Sequence, residues 1–394
     1  MHADTVNREL SIARKAIGWW QRQGLDRRRP DDRHRAMNRP PRRQRRRRLT
    51  TLQLWRGDKI ISMTAERRFA DAETLAPVMR EVFGTDRRIT AVDRLLNGTK
   101  KGVYRITLDD TTSTIVYVWN ADEDYWDGLL PGGHDDPSNP FAHASGIEFF
   151  QGATRRLEAV GARSPGLLLA DRSRTLYPAD IAVAEDVRGG TLETLLEHDP
   201  DAGRRTLAQL SDMLQRMHAY RAPAFGRVAW IDGGGAPPDM TCEQAYLERS
   251  LMHIATAVPR DVRAAEGEAM LKEKLRTLHA ALEPRAELGV VHGELCAEHT
   301  LVGPDGEPVL IDIEGLMYTD IEVDHCWMRM RFGPHYEALR NPDLDPRRVR
   351  YYQYVMHLDL VGGPLRIAEG DFPNRKWMLD VADFHLQKAL TYET

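Results

Sequence analysis

Residues 290–315 read VVHGELCAEHTLVGPDGEPVLIDIEG. Apolar runs flank polar residues at fixed places. Glu294 follows His292 and Gly293, His299 opens the next apolar run, and Asp312 is embedded in VLIDIE. Short strands are expected around 289–291, 300–302 and 308–313, the last two joined through the turn-forming GPDG. Such a hairpin brings Glu294, His299 and Asp312 to one end. An ionised carboxylate flanked by Ile311 and Ile313 is costly unless it has a partner. A metal ion is one partner; a buried arginine or backbone donors are the structural alternative.

Upstream, 73–84 predicts a short helix ending at Gly84. Residues 89–120 predict three strands, with a hairpin turn at Asn97-Gly98. Residues 121–141 are turn-rich and expected to form a loop. Phe150, Ala153, Leu157 and Val160 give a helix over about 143–161 one apolar face. PGLLLAD and LYPADIAVAEDV predict strands. RGGTLETLL turns into a helix, and leucine spacings mark helices through Leu207–Met217 and Leu271–Leu282. From Glu322 onward the chain is expected to be mostly helical. A β-rich first part thus precedes a helical part with a small β insert.

An acid that orients or deprotonates a hydroxyl, plus a second acid and another ligand that hold Mg²⁺ on nucleotide phosphates, is the assembly phosphoryl transfer requires. The segment resembles the aminoglycoside phosphotransferase family, whose loop reads H-G-D-x-x-x-x-N and whose later strand carries I-D-W/F-E. His292, Gly293, Glu294, His299, Ile311, Asp312 and Glu314 occupy those positions. Glu185 to Leu192 matches the family's hinge pattern E-x-x-x-G-x-x-L, LQRMH ends in His218 where a histidine is expected, and Glu148 stands at the helix-C glutamate. TDIEVDH places Asp324 at the last acid of a G-D-P-x-x-D stretch.

The resemblance implies an α+β, two-lobed protein-kinase-like fold: a β-rich N-lobe over 63–184, a hinge at 185–188 and a mainly helical C-lobe over 189–394. It implies a small-molecule kinase moving the γ-phosphoryl group of ATP or GTP to a hydroxyl, with antibiotic resistance among the family's roles. Glu294 would be the catalytic acid–base group and His292 would brace its loop. Asp312 and His299 would hold Mg²⁺, with Mn²⁺ as the alternative that an imidazole favours. Gly98, Lys100, Lys101, Glu148, Glu185 and Val187 would contact the nucleotide.

Three departures stand out. Glu294 replaces aspartate, His299 replaces asparagine, and the third strand TIVYVW has no lysine to meet phosphate. Lys100 and Lys101, in NGTKKG, are the nearest replacements, expected to pair with Glu148; Arg105 is a further candidate. The plain alternatives are a loop histidine at 299 and a solvated hairpin tip at 100–101. Taken together, the departures define a competing reading, a nucleotide-binding pseudokinase. Cys296 and His299 form C-x-x-H, but no second pair lies nearby to complete a zinc site, and a thiol nucleophile at Cys296 leaves Asp312 and the hinge unexplained.

Composition sets the frame. The 394 residues include three cysteines and carry a net charge of −4. Residues 1–62 hold +12, so 63–394 hold −16. The arginine-rich start has the composition of a disordered extension, or of a segment outside the native protein with Met63 as its start; a nucleic-acid arm is the less favoured reading. No apolar run reaches the ~20 residues of a membrane span. Without a secretory leader, and with an odd number of cysteines, a cytoplasmic protein with reduced thiols is expected. Acidic clusters at Asp122-Glu123-Asp124, Asp135-Asp136 and Asp320, Glu322, Asp324 lead to the expectation of a cationic, amine-bearing acceptor drawn in by their field.

Overall fold

The computed structural model describes residues 67–393 except 96–97, 127, 130–135, 137 and 144. The basic extension, Met63, Asn97 and Asp135 therefore lie outside the described residues.

The chain enters through α1 (Ala72–Phe83), capped by Asp71, which accepts from the Thr74 amide while the Thr74 hydroxyl accepts from the Asp71 amide. An antiparallel sheet follows, built from β1 (Ile89–Arg94), β2 (Gly102–Leu108), β3 (Ser113–Trp119), β4 (Leu167–Asp171) and β5 (Asp180–Glu185), in the order β1-β2-β3-β5-β4. Strand β3 is buried on both faces. Val116 and Val118 pack towards α1, whereas Ile115, Tyr117 and Trp119 pack on Ile147, Phe150 and Leu157 of α2 (Ile147–Ala159). Both faces of TIVYVW are core, so an ammonium on this strand would need its own counter-ion.

Beyond β5 the chain is mainly helical: α3 (Leu192–His198), α4 (Pro200–Ala219), α5 (Val228–Asp232), α6 (Cys242–Ala257), α7 (Val262–Ala280), α8 (Glu322–Arg331), α9 (Pro346–Ile367) and α10 (Arg375–Leu390). Inserted among them are β6 (Gly226–Arg227), β7 (Gly289–Val291), the hairpin β8 (Thr300–Val302) and β9 (Pro308–Leu310), and β10 (Met317–Thr319). This is the two-lobed arrangement expected. Among the described residues no helix is long and apolar enough to cross a membrane.

One helix went unread, and one local expectation needs correction. Helix α6 escapes the leucine count because its buried face mixes Cys242, Glu243, Ser250 and His253 with alanine and tyrosine. The strand holding VLIDIE stops at Leu310, and Ile313–Gly315 forms a 3₁₀ turn. Asp312 lies between them in the left-handed region (φ 59°, ψ 45°). Aspartate tolerates that region better than most residues, which lets the chain turn sharply and present the carboxylate, about half exposed, at the strand's end.

Candidate active site

The loop after β7 is fixed from behind. Asp324, fully buried near the start of α8, accepts hydrogen bonds from the backbone amides of His292 (3.1 Å) and Gly293 (2.7 Å). His218, at the end of α4, donates to the same carboxylate from Nε2 (3.1 Å). Gly293 has φ +89°, the left-handed turn that points Glu294 outward. Burial raises the Asp324 pKa, but these donors and the neighbouring histidines outweigh it and hold the group below the usual carboxylate range.

His292 links the loop to the Asp312 strand. Its Nε2–H donates to the Ile311 carbonyl at 2.9 Å, and Nδ1 accepts the Glu294 amide at 3.4 Å. His299 returns to the same loop, its Nδ1–H donating to the Glu294 carbonyl at 3.0 Å. A carbonyl only accepts, so this bond puts the neutral ring's proton on Nδ1 and its lone pair on Nε2. The two imidazoles face each other at 6.1 Å and 25°. Glu294 itself is exposed.

On the other flank, Lys101 immediately precedes β2 and reaches across the sheet. Its Nζ lies 3.0 Å from Asp312 and 2.6 Å from the buried Glu314, above the Tyr117 ring at 5.6 Å. The ammonium holds Asp312 well below the usual carboxylate range, and His299 and Lys100 add to the effect. In return the two carboxylates hold Lys101 above the ordinary lysine value despite its burial. Lys100 faces other company: burial lowers its pKa, and Glu294 is the strongest charge opposing that. Lys101 therefore answers to Asp312 and Glu314, and Lys100 chiefly to Glu294.

The remaining expected residues fall as follows. Gly98 closes the turn before Lys101; a Cβ there would come within 2.9 Å of the Lys101 carbonyl. Glu148 ion-pairs with the exposed Arg172 (3.8 Å), and among the described residues no ion pair joins it to Lys100 or Lys101. Lys101 is paired with Glu314 instead, because the side chain enters from the β2 end and meets the turn after Asp312 first. Where the hinge was expected, Glu185 pairs with Arg163 (2.7 Å). Asp186 is clamped by both ends of the Arg105 guanidinium (2.9 and 3.0 Å), which commits Arg105 to the hinge. Among the described residues, the amide of the buried Val187 makes no backbone hydrogen bond. Gly189 follows, and a Cβ there would sit 2.2 Å from the Val302 carbonyl, so only glycine lets the hinge exit dock on the β8–β9 hairpin.

The acids just downstream need the clearest correction. Asp320, Glu322 and Asp324 are all buried. Asp320 meets Arg348 and the Tyr352 hydroxyl (2.6 Å), Glu322 takes both arms of Arg285 (2.8 and 3.0 Å), and Asp324 holds the loop. Glu123 of the earlier cluster is likewise buried against Arg94 (2.7 Å), and Asp124 lies 2.5 Å from His143. These five charges have internal partners, so the expected field loses most of its sources, while Asp136 of the remaining cluster is exposed. Sequence reasoning also missed a basic group near Glu294, formed by Arg227, Arg249 and Arg366. Its one legible trace is Asp359, a lone acid inside the apolar run of α9.

A five-stranded sheet followed by a helical part, with an acid on an ordered loop and a second acid held by a lysine, is the layout expected of a kinase-like phosphotransferase. Residues 97–355 match the model of the phosphotransferase enzyme family, and the chain belongs to that family of small-molecule kinases. Among solved structures, it is similar to an apo thermostable mutant of aminoglycoside phosphotransferase APH(4)-Ia (16% identity, TM-score 0.55, covering 81% of this chain and 99% of that one). It is also similar to spectinomycin phosphotransferase APH(9)-Ia with ADP and spectinomycin (14%, 0.55, 82% and 99%). A third similar structure is the GDP and kanamycin complex of APH(2")-IIia (16%, 0.52, 80% and 97%). At these identities the likeness speaks for the fold alone. No curated protein matches the chain.

Proposed function

We propose that the chain transfers the γ-phosphoryl group of ATP or GTP to a hydroxyl of a small molecule. Glu294 takes the proton of the attacking hydroxyl; its exposure and its backbone anchoring through His292 and His299 support that role. The pair Asp312 and His299 Nε2 fits a divalent cation, Mg²⁺ or Mn²⁺, whose other ligands come from phosphates and water. Among the described residues no cluster of three or more histidines, cysteines or acids could hold a metal by itself, as expected where the nucleotide supplies the remaining oxygens. When bound, the cation neutralises charge that develops on the phosphates. Lys101, already at Asp312, supplies the cation that β3 lacks, and the Gly98 turn covers the phosphates. The Glu185–Val187 backbone receives the base, with the lobe boundary at 185–188. Glu314 takes the pairing role first assigned to Glu148. The three buried free thiols, Cys242, Cys296 and Cys326, and the need for ATP support a cytoplasmic setting. An aminoglycoside-like antibiotic is the acceptor the family suggests; a metabolite is the alternative.

The observation that carries this reading is the Lys101–Asp312–Glu314 cluster, joined through Ile311 and His292 to the loop that presents Glu294. The test is a pair of variants. Asp312→Ala should abolish metal-dependent nucleotide binding. Glu294→Gln should keep nucleotide binding and lose transfer by a factor of ~10² or more. Transfer at the parent rate by Glu294→Gln would overturn the assignment. Nucleotide binding without turnover of any hydroxylated acceptor in the parent would favour the pseudokinase reading.

A further inference from the structure

Beside the Glu294 loop lies a basic cluster that the nucleotide side of the proposed reaction does not use. Arg227, at the end of β6, is 7% exposed. Its Nη2 donates to the Ala142 carbonyl (2.7 Å), and its guanidinium lies 6.0 Å from the Phe149 ring. Among the described residues no carboxylate pairs with it, and its buried Nε has no hydrogen-bond partner. A Cβ on Gly315 would sit 3.9 Å from Nη1 and 3.8 Å from the His292 carbonyl, which places the guanidinium against the backbone of the site. Arg249 of α6 lies over Phe141 (4.5 Å) and 3.3 Å from Asp359 of α9. Asp359 also meets His253 (3.3 Å), and the buried Arg366 reaches that histidine at 3.5 Å.

The charges do not balance. Lys100, Arg227, Arg249 and Arg366 are four cations; the acids coupled to them are Glu294, Asp359 and, through Lys100, Asp312, which is already paired with Lys101. Burial and the neighbouring Arg249 push Arg227 down to about 10, so it remains charged at neutral pH. The Lys100 ammonium makes no ion pair among the described residues. A buried, unpaired arginine is costly, and its fork suits a carboxylate or phosphate. Arg227 lies beside the His292 carbonyl of the loop that presents Glu294, so an anion bound here would face the same loop as a hydroxyl at Glu294.

We propose that Arg227 and Arg249, with Lys100 at the edge, bind an anionic oxygen group of the acceptor, a carboxylate or a phosphate, while its hydroxyl meets Glu294. This deepens the phosphotransferase reading, resting on Glu294 as the acceptor's base, and reverses the expectation of a cationic acceptor.

The probes are gluconate, glucose and glucosamine, which present an anion, a neutral group and a cation on related six-carbon polyols. Binding of each is measured by calorimetry to the full chain loaded with a non-hydrolysable ATP analogue and Mg²⁺. Gluconate should bind at least about tenfold more tightly than glucose, the scale of one charge-assisted hydrogen bond, and glucosamine most weakly. Arg227→Gln and Arg249→Gln should each reduce that preference to about twofold or less. Arg249 is about one-third exposed, so its variant answers the question if Arg227→Gln does not fold. Equal binding of the three probes, a preference for glucosamine, or a gluconate preference unchanged in the variants overturns the proposal. The readout is binding, so it is separate from turnover: a retained gluconate preference in a parent chain that, given ATP, turns over no hydroxylated acceptor would count against the transferase reading and leave the anion site standing.

Discussion

Two groups of acids lie a few residues apart and have opposite fates. Asp312 and Glu314 hold one lysine at the mouth of the site, and the Asp312 carboxylate is about half exposed. Asp320, Glu322 and Asp324 are buried and locked by Arg348, Arg285, His218 and backbone amides. The first group lies where, in the proposed reading, a bound cation and the nucleotide phosphates would meet Lys101. The second is structure, and its charge does not reach solvent. Counting acids along the chain treats the two alike; burial and partner identity separate them.

The largest effect that can break this comparison is on stability. Arg348 is 4% exposed and joins Glu243 (2.6 Å) to Asp320. Arg348→Met leaves both carboxylates buried, with Arg285 at 3.4 Å from Asp320 as a distant remainder. Urea unfolding should show a loss of ~3–5 kcal/mol, the cost of removing one member of a buried ionic group. Asp312→Ala should stay within ~1 kcal/mol of the parent, since its ion pair is solvent-screened. Similar losses in both variants would mean that the two groups are energetically alike.

Much of the architecture was legible because it is written in periodicity and turns. The β2–β3 pair, the α2 face at Phe150, Ala153 and Leu157, and the hairpin carrying His299 all follow local rules. What escaped depends on contacts distant in sequence. Lys101 meets Glu314 rather than Glu148, a choice fixed by where β2 begins against the turn after Asp312. Burial of Asp320 is decided by arginines far along the chain, at positions 285 and 348. The Arg227, Arg249 and Arg366 cluster comes from three separate elements and has no spacing that a motif could express. Helix α6 was missed for the same reason: its buried polar face serves partners elsewhere.

The next largest effect tests the mobile half of the comparison. If Lys101 meets the nucleotide phosphates beside the bound cation, Lys101→Met should raise the KM for ATP by about tenfold or more, one charge-assisted contact. Adenosine, which has no phosphate, should bind as to the parent. Lys100→Met should alter ATP use less, because Lys100 answers mainly to Glu294. Parent-like ATP kinetics in Lys101→Met, or equal loss of ATP and adenosine affinity, would remove the phosphate role and leave Lys101 as a structural plug.

The smallest effect is the acid limb of stability, and here the two groups should differ in size but not in sign. Both Asp312 and Asp324 have folded pKa values below the ordinary one. A depressed carboxylate contributes stability that is present above its unfolded pKa, about 3.9, and is lost as pH falls through the folded value. For Asp324 the contribution acts through buried hydrogen bonds to His292, Gly293 and His218, so it is little screened. For Asp312 solvent discounts it. The stability gap between the parent and Asp324→Asn, followed by urea titration at falling pH, should therefore narrow below about pH 4 as the parent loses what the variant lacks. The corresponding gap for Asp312→Asn should be smaller throughout and change less. A pH-independent gap for Asp324→Asn would show that the anchoring bonds do not require an ionised carboxylate, and equal narrowing in both variants would erase the distinction between a buried brace and an open ligand.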